Sequence, residues 1–170
     1  DSWLSQRDHA LFLLMYNTGA RVSEIIGVKV GDVVLDASAA CVHLHGKGRK
    51  QRSVPLWRST AKTLRAWLHV NPQFDGTSPL LPNRSGHEMT RANVTLRLAS
   101  AVQRATETQP ALAKRQVSPH TIRHTTAMHL LQSGVDISVI ALWLGHESPV
   151  TTHHYVEADL AMKERALARL

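Results

Sequence analysis

Apolar residues recur at three- and four-residue spacing along most of this chain, which is the period of an amphipathic helix. In the first such segment Leu11, Leu14 and Met15 share one face, and Gly19 supplies a stop. Ser118 followed by a proline is a typical helix start, because serine caps the first turn and proline suits the first helical position. These signals predict a turn over residues 151–156 and helices over residues 5–17, 22–27, 59–70, 90–106, 119–134, 137–144 and 159–170.

The pattern changes after the second predicted helix. Polar and apolar residues alternate over residues 41–45, and the chain extends again over residues 51–56, which is typical of paired strands. The intervening residues 46–50 contain two glycines and three basic residues, so we expect a β-hairpin with a basic tip. The 170 residues therefore predict one domain that is mostly α with a small antiparallel β-sheet, an α+β fold.

The balance of charge indicates an anionic partner. There are 20 Lys and Arg residues against 13 Asp and Glu residues, a formal net charge of +7. Such a basic chain favours nucleic acid first and an anionic membrane surface second. The single cysteine, Cys41, excludes an intramolecular disulfide and favours a reducing intracellular compartment. The longest apolar stretches fall far short of the ~20 residues of a membrane span, so we expect no membrane partner.

Two stretches place an arginine near the start of a predicted helix. Arg21 lies just past a glycine stop, where it can hold a phosphate beside the N–H groups of the helix start. A surface ion pair with Glu24, one turn on, is the alternative. His120 and Arg123 are three residues apart and can converge on one anion. The alternatives for His120 are helix capping and a two-histidine zinc site with His124, although no third zinc ligand is evident.

Two further stretches add polar groups. The hairpin tip combines glycines, which let a ligand approach the backbone, with mobile positive charge from Lys47, Arg49, Lys50 and Arg52. A solvated turn or a non-specific phosphate contact is the alternative for this tip. His146 is followed nine residues later by Tyr155 in a histidine-rich turn, where the phenol can reach solvent or an anion. The other tyrosine, Tyr16, lies in the first predicted helix and is expected in the core.

Together these stretches supply the groups that can break and remake a phosphodiester without a metal. Two guanidiniums can hold the non-bridging oxygens and neutralise the charge that grows in the transition state. A phenol, with a pKa near ~10, becomes a nucleophile once it loses its proton. A lysine can protonate the departing hydroxyl.

The order and spacing of these motifs resemble the catalytic domain of the tyrosine recombinase/phage integrase family. The matching motifs are Thr-Gly-x-Arg-x-x-Glu at residues 18–24, Gly-Lys-Gly-x-Lys-x-Arg at 46–52, His-x-x-Arg-His at 120–124, Leu-Gly-His at 144–146 and the tyrosine Tyr155. The resemblance covers nearly the whole chain. It implies the tyrosine recombinase catalytic-domain fold and a site-specific DNA recombinase of integrase or transposase type.

The resemblance also implies a role for each motif residue. Tyr155 would attack the DNA phosphate to form a 3′-phosphotyrosyl link, while Arg21 and Arg123 clamp that phosphate. Lys47 would be the general acid toward the leaving oxygen, and His120 would relay protons. The remaining assignments are His146 as support for the phosphate and the tyrosine, Glu24 as support for Arg21, and Arg49, Lys50 and Arg52 as DNA-binding residues. The family uses neither a metal nor ATP, so no cofactor is expected.

Partners and boundaries follow from the same resemblance. The expected partners are double-stranded DNA and further copies of the protein in a synaptic tetramer on DNA, with the isolated domain a monomer. Residues 1–170 correspond to the catalytic domain, with a tail helix over 158–170 that protomers can exchange, and the family's N-terminal core-binding domain is absent from this chain. The expected location is the bacterial cytoplasm, in association with the nucleoid.

Two alternatives share much of this evidence. A type IB topoisomerase uses the same chemistry to relax supercoils, although the short hairpin and the Leu-Gly-His motif favour a recombinase. A catalytically idle DNA-binding module has little need for every catalytic residue type. The sequence leaves open the target site and the choice among phage integration, transposition, dimer resolution and cassette shuffling.

Overall fold

The computed structural model describes residues 2–146 of the chain. This part contains six α-helices, and each coincides within two residues with a predicted one. They are α1 (Trp3–Thr18), α2 (Val22–Ile26), α3 (Arg58–His69), α4 (Arg91–Ala105), α5 (Pro119–Gln132) and α6 (Ile137–Leu144). None of these six is both long and apolar enough to cross a bilayer. The predicted turn over 151–156, the predicted tail helix and Tyr155 lie outside the described residues.

The chain between α2 and α3 forms a three-stranded antiparallel sheet. Its strands, in spatial as in chain order, are β1 (Val33–Val34), β2 (Cys41–His45) and β3 (Gln51–Pro55). β2 and β3 are the predicted hairpin, with Cys41 opposite Pro55, and the tip is a short 3-10 turn, Lys47–Arg49. The prediction of a mostly helical fold with a small antiparallel sheet is therefore confirmed. β1 is too short to show an alternating pattern in the sequence.

A single apolar core joins the first helix to the sheet. α1 contributes Leu11, Leu14 and Met15, each at most 1% exposed, as the apolar stripe predicts. Val42 and Leu44 of β2 enter the same core, because side chains alternate between the two faces of a strand. A second cluster between α5 and α6 consists of Ala127, Met128, Leu130, Ile140 and Leu144.

Buried hydrogen bonds fix the ends of these elements against one another. Asn17, at the end of α1, donates through Nδ2 to the Pro55 carbonyl oxygen (2.9 Å) and accepts at Oδ1 from the Trp57 N–H (2.8 Å). On α5, the Thr126 hydroxyl donates to the Tyr16 carbonyl oxygen (2.6 Å). These bonds bring α1, β3 and α5 together just before the Thr-Gly-x-Arg motif.

A buried ion cluster joins α1 to α4 and to the loop before it. Asp8 is 3% exposed. Its Oδ1 accepts from Arg7 Nη2 (2.6 Å) and its Oδ2 from Arg97 Nε (2.6 Å). Arg7 also donates through Nη1 to the Pro82 carbonyl oxygen (3.0 Å). Since a buried charge is tolerated only when it is paired, Asp8 determines how these segments meet.

We expect Asp8→Asn to lower the free energy of unfolding by about 3–5 kcal/mol, because it leaves Arg7 and Arg97 without their buried counter-charge. Urea unfolding followed by circular dichroism measures the change. Asp36→Asn, at an exposed position, is the control and should change the free energy of unfolding by less than about 0.5 kcal/mol. Similar losses in the two variants would contradict a stabilising role for the cluster.

Candidate active site

The first motif bends the chain between α1 and α2. Gly19 ends α1 in the left-handed conformation (φ 59°), which glycine adopts without strain. Arg21 follows as the N-cap of α2, and its backbone N–H donates to Glu24 Oε2 (2.9 Å). The Arg21 side chain is 51% exposed, with Nη1 3.7 Å from Glu24 Oε1. Its guanidinium is therefore accessible to a ligand.

A buried ion pair lies behind Arg21. Glu24 is 4% exposed, and its two oxygens accept from Arg52, Nη1 to Oε1 at 2.6 Å and Nη2 to Oε2 at 2.9 Å. Burial alone would raise the pKa of Glu24, but hydrogen bonds from Arg52 and the Arg21 backbone, with the charges of both arginines, bring that pKa below its ordinary value. Glu24 is therefore ionised at neutral pH. Arg52, predicted as a DNA-binding residue, directs its guanidinium into the protein.

The second arginine of the predicted clamp is buried. Arg123, on α5, is 6% exposed. Its Nη1 donates to the Gly19 carbonyl oxygen (2.6 Å) and its Nη2 to the Leu144 carbonyl oxygen (2.8 Å). One guanidinium thus holds together the chain before Arg21 and the end of α6.

The start of α5 leaves His120 exposed. Ser118 caps the helix by accepting at Oγ from the Thr121 N–H (3.3 Å), so capping does not require His120. His124, one turn on, is exposed as well. Within residues 2–146, no three His, Cys, Asp or Glu side chains are grouped closely enough to hold a metal ion. In this part of the chain the two histidines therefore have no third ligand for zinc.

The hairpin tip carries three exposed cations, Lys47, Arg49 and Lys50. The Gly46 N–H donates to the Lys50 carbonyl oxygen (2.7 Å), which closes the turn at its base. Arg49 adopts a positive φ of 62°. The closed turn fixes the backbone of the three basic residues relative to the sheet. Because their side chains are exposed, they are accessible to a ligand.

His146 is held by the end of α6. Gly145 terminates the helix in the left-handed conformation (φ 67°), and the His146 N–H donates to a carbonyl oxygen in the last turn (2.9 Å). Burial of the imidazole, together with the charges of Arg123, Arg21 and Arg52, lowers its pKa to about 4. At neutral pH the ring is therefore uncharged, with one nitrogen able to donate and the other to accept.

Six of the predicted side chains meet at a cleft of about 900 Å³ between α2, the hairpin tip and α6. The predicted residues that line it are Arg21, Glu24, Lys47, Lys50, Arg52 and His146. Because Glu24 is paired with Arg52, the other cations leave the cleft positively charged, which favours an anion. Arg123, His120 and Arg49 are not among the described residues that line it.

Arg91 is a cleft residue that the sequence analysis missed. It is exposed and begins α4, directly after the N-cap Thr90. A cation is unfavourable there because the macrodipole is positive at a helix start, and the first turn contains no acidic residue. This unfavourable placement is the signal that could have identified Arg91, because a bound anion would offset both the charge of the guanidinium and the positive end of the helix macrodipole.

Comparisons with known proteins identify the family and the relatives of this chain. The sequence matches the phage integrase family over residues 2–162. The integrase/recombinase y4rC of Sinorhizobium fredii is 45% identical over 168 residues, which cover 99% of this chain and 50% of that protein. The tyrosine recombinase XerC of Neisseria meningitidis is 42% identical over 156 residues, 92% of this chain and 48% of that protein. The chain thus spans about half the length of these relatives.

Solved structures share the fold. The XerH site-specific recombinase, in a post-cleavage complex with its difH substrate, matches 99% of this chain and 47% of its own with a TM-score of 0.82 and 24% identity. The XerA recombinase matches 95% of this chain and 56% of its own with a TM-score of 0.77 and 25% identity. The fold is therefore that of tyrosine recombinase catalytic domains. With the sequence match over most of its length, this chain belongs to the phage integrase family.

We expect the imidazole of His146 to titrate with a pKa of about 4 in the free chain. The pKa should rise when an anion enters the cleft, because its negative charge opposes that of the arginines. NMR titration of the ring protons with and without inorganic phosphate measures both values, and His146→Gln assigns the resonance. A pKa near 6.5 in the free chain would contradict the described burial.

The same lowered pKa affects stability. Between pH 6.5 and about 4 the unfolded chain protonates His146 while the folded chain does not, so the free energy of unfolding falls as the pH falls through this window. His146→Gln removes this contribution, and its stability should depend less on pH in urea unfolding. An identical dependence in both proteins would argue that the folded state also protonates the ring.

Proposed function

We propose that this chain is the catalytic domain of a site-specific DNA recombinase that cuts and rejoins double-stranded DNA without a metal or ATP. The observation that carries the proposal is the cleft, where Arg21, Lys47 and His146 come together from three separate segments. Among the described residues, the cleft contains several cations and one carboxylate, that of Glu24, whose charge is neutralised by Arg52. Such a cleft can bind the phosphates of DNA. The relatives support the proposal, since they are named as an integrase/recombinase and a tyrosine recombinase.

The proposed reaction exchanges one oxygen for another at phosphorus. In this proposal His120 accepts the proton of the Tyr155 phenol. The phenolate oxygen attacks the phosphorus while the bond to the 5′ oxygen breaks. Lys47 protonates that oxygen, which leaves a 5′-hydroxyl and a 3′-phosphotyrosyl link. Attack by the 5′-hydroxyl of another strand reverses these steps and rejoins DNA. Because the number of phosphoester bonds is conserved, the reaction needs no ATP.

The cations of the site stabilise the charge that develops on the phosphate. The exposed guanidinium of Arg21 binds the non-bridging oxygens in this proposal. Arg123 adds its positive charge to the site. Through its hydrogen bonds to two backbone carbonyls, it also holds the segments of the site in place. His146, uncharged before DNA binds, can donate a hydrogen bond to the phosphate, and the exposed His120 relays protons.

The proposal extends to the wider DNA contact and to assembly. Arg49, Lys50 and Arg91 bind phosphates beside the reacting one; all three are exposed, and Lys50 and Arg91 line the cleft. Copies of the protein assemble as a synaptic tetramer on DNA, with the tail over residues 158–170 exchanged between protomers. The protein acts in the bacterial cytoplasm, in association with the nucleoid. The bacterial origin of the relatives supports this location.

Tyr155→Phe should abolish covalent attachment to DNA, because phenylalanine has no oxygen to attack phosphorus. The crossover sequence is first mapped with the parent protein. The assay then uses a nicked suicide duplex that carries this sequence and detects the protein–DNA adduct by denaturing electrophoresis. Tyr16→Phe is the matched control and should form the adduct. Adduct formation by Tyr155→Phe would overturn the assignment, and relaxation of supercoils without strand exchange would favour a topoisomerase.

Arg21→Ala should slow adduct formation at saturating DNA by about 10²–10³-fold, as expected for loss of one donor to the transition-state phosphate. Arg104→Ala, which removes an exposed arginine near the far end of α4, should leave that rate unchanged. Single-turnover kinetics on the same nicked duplex compares the two variants. Equal, small effects would argue against a phosphate clamp at Arg21.

A further inference from the structure

Arg52 ends the basic hairpin motif, yet its side chain is only 14% exposed. All three guanidinium nitrogens donate to protein acceptors. Nη1 and Nη2 bind the two oxygens of Glu24 at 2.6 and 2.9 Å, and Nε binds the Trp143 carbonyl oxygen at 2.9 Å. These bonds use three of the five guanidinium N–H groups. Together with the low exposure of the side chain, they leave Arg52 poorly suited to hold a DNA phosphate.

These hydrogen bonds connect the three segments that form the cleft. Through Glu24, whose Oε2 also accepts from the Arg21 N–H, Arg52 determines where α2 begins. Through Trp143 it holds the end of α6, three residues before His146. Arg52 itself lies on β3, directly after the hairpin tip with Lys47.

The fit around the guanidinium is tight. A Cβ atom built on Gly145 would lie 2.6 Å from Arg52 Nη1, so the chain just before His146 packs directly on this side chain. A planar fork can reach both oxygens of a carboxylate and a carbonyl oxygen together, whereas the single ammonium of a lysine cannot match this geometry. The site therefore requires the shape of arginine as well as its charge.

We propose that Arg52, paired with Glu24, is a positioning residue that sets the placement of Arg21, Lys47 and His146 for reaction and does not contact DNA. The inference rests on the proposed strand-transfer function. The pair has a second effect, because an unpaired carboxylate beside the cleft would repel a phosphate. Arg52 cancels that charge and leaves Arg21 to meet the phosphate.

The electrostatics of the site agree with this placement. The hydrogen bond from Arg52 helps to hold the pKa of Glu24 below its ordinary value. Burial is the main cause of the low pKa of His146, and the charge of Arg52 adds to it. Removing the Arg52 charge should therefore raise the pKa of both groups.

The kinetic test compares Arg52→Lys, which keeps the charge but loses the fork, with the parent protein. Single-turnover adduct formation at saturating nicked duplex should slow by about 10²-fold, as for a small misplacement of reacting groups. The dissociation constant for the same duplex should change by less than about threefold, or about 0.6 kcal/mol. Arg65→Lys is the matched control, since Arg65 also donates to a backbone carbonyl, that of Leu35, and does not line the cleft. It should leave both values unchanged.

The NMR test uses Arg52→Gln and does not depend on catalysis. The His146 pKa should rise above about 4, whereas Arg65→Gln should leave it unchanged. If Arg52→Gln does not fold, the second measurement combines Glu24→Gln with Arg52→Lys in one double variant and compares it with the two single variants. The double variant should then react no more slowly than the worse single variant, because both changes remove one interaction.

Three results would overturn the inference: weaker DNA binding by Arg52→Lys with an unchanged rate at saturating DNA, an unchanged His146 pKa in Arg52→Gln, or additive losses in the double variant. Failure of the proposed function is recognised separately. In that case the parent protein forms no Tyr155 adduct, while the NMR comparison still reports whether the charge of Arg52 acts on His146.

Discussion

Charges buried beneath the cleft must be fully hydrogen-bonded, and this constraint determines the form of the site. Removing Glu24, Arg52 or Arg123 from water is unfavourable unless each polar atom finds a partner. The Glu24 carboxylate accepts hydrogen bonds from the Arg52 guanidinium and from the Arg21 backbone N–H. Arg123 donates hydrogen bonds to two backbone carbonyls. Because these partners belong to separate segments, satisfying the charges also assembles the segments into one site.

The end of α6 shows how this constraint acts on a helix. The last carbonyls of a helix lack partners within it and carry the negative end of the macrodipole. Here Arg52 binds the Trp143 carbonyl and Arg123 the Leu144 carbonyl. Two cations thus complete the helix end. Burial is the main cause of the low pKa that keeps the imidazole of His146 neutral, and the charges of these two arginines add to it. The same contacts provide structure and adjust the chemistry of the site.

Much of this arrangement could be predicted from sequence. The spacing of apolar residues, together with glycine stops and capping residues, predicts all six described helices. Alternation with a glycine-rich turn predicts the hairpin, because these are all local patterns. The motifs also identify most of the residues that line the cleft. Sequence spacing does not show the direction of a long side chain, however. Arg52 and Lys50 are near neighbours in one basic stretch, and only the structure shows that Arg52 turns inward.

Other features were missed because they depend on distant residues. Arg91 belongs to no motif, and only the packing of α4 brings it to the cleft. Tyr16 was expected in the core, yet it is only partly buried and its hydroxyl bonds His129 on α5. β1 pairs over two residues, Val33 and Val34, which is too few for a periodic signal. In each case the deciding contact is made across the fold.

The glycine at the end of α1 links two of the motifs sterically. A Cβ atom on Gly19 would lie 2.5 Å from Leu144 Cδ2 and 3.2 Å from Thr126 Cγ2. The turn therefore needs glycine for two reasons. Glycine adopts the required backbone conformation, and it leaves room for the side chain of Leu144, which lies far along the chain. A redesign that enlarges either residue displaces the wall of the site, so the two positions have to be altered as a matched pair.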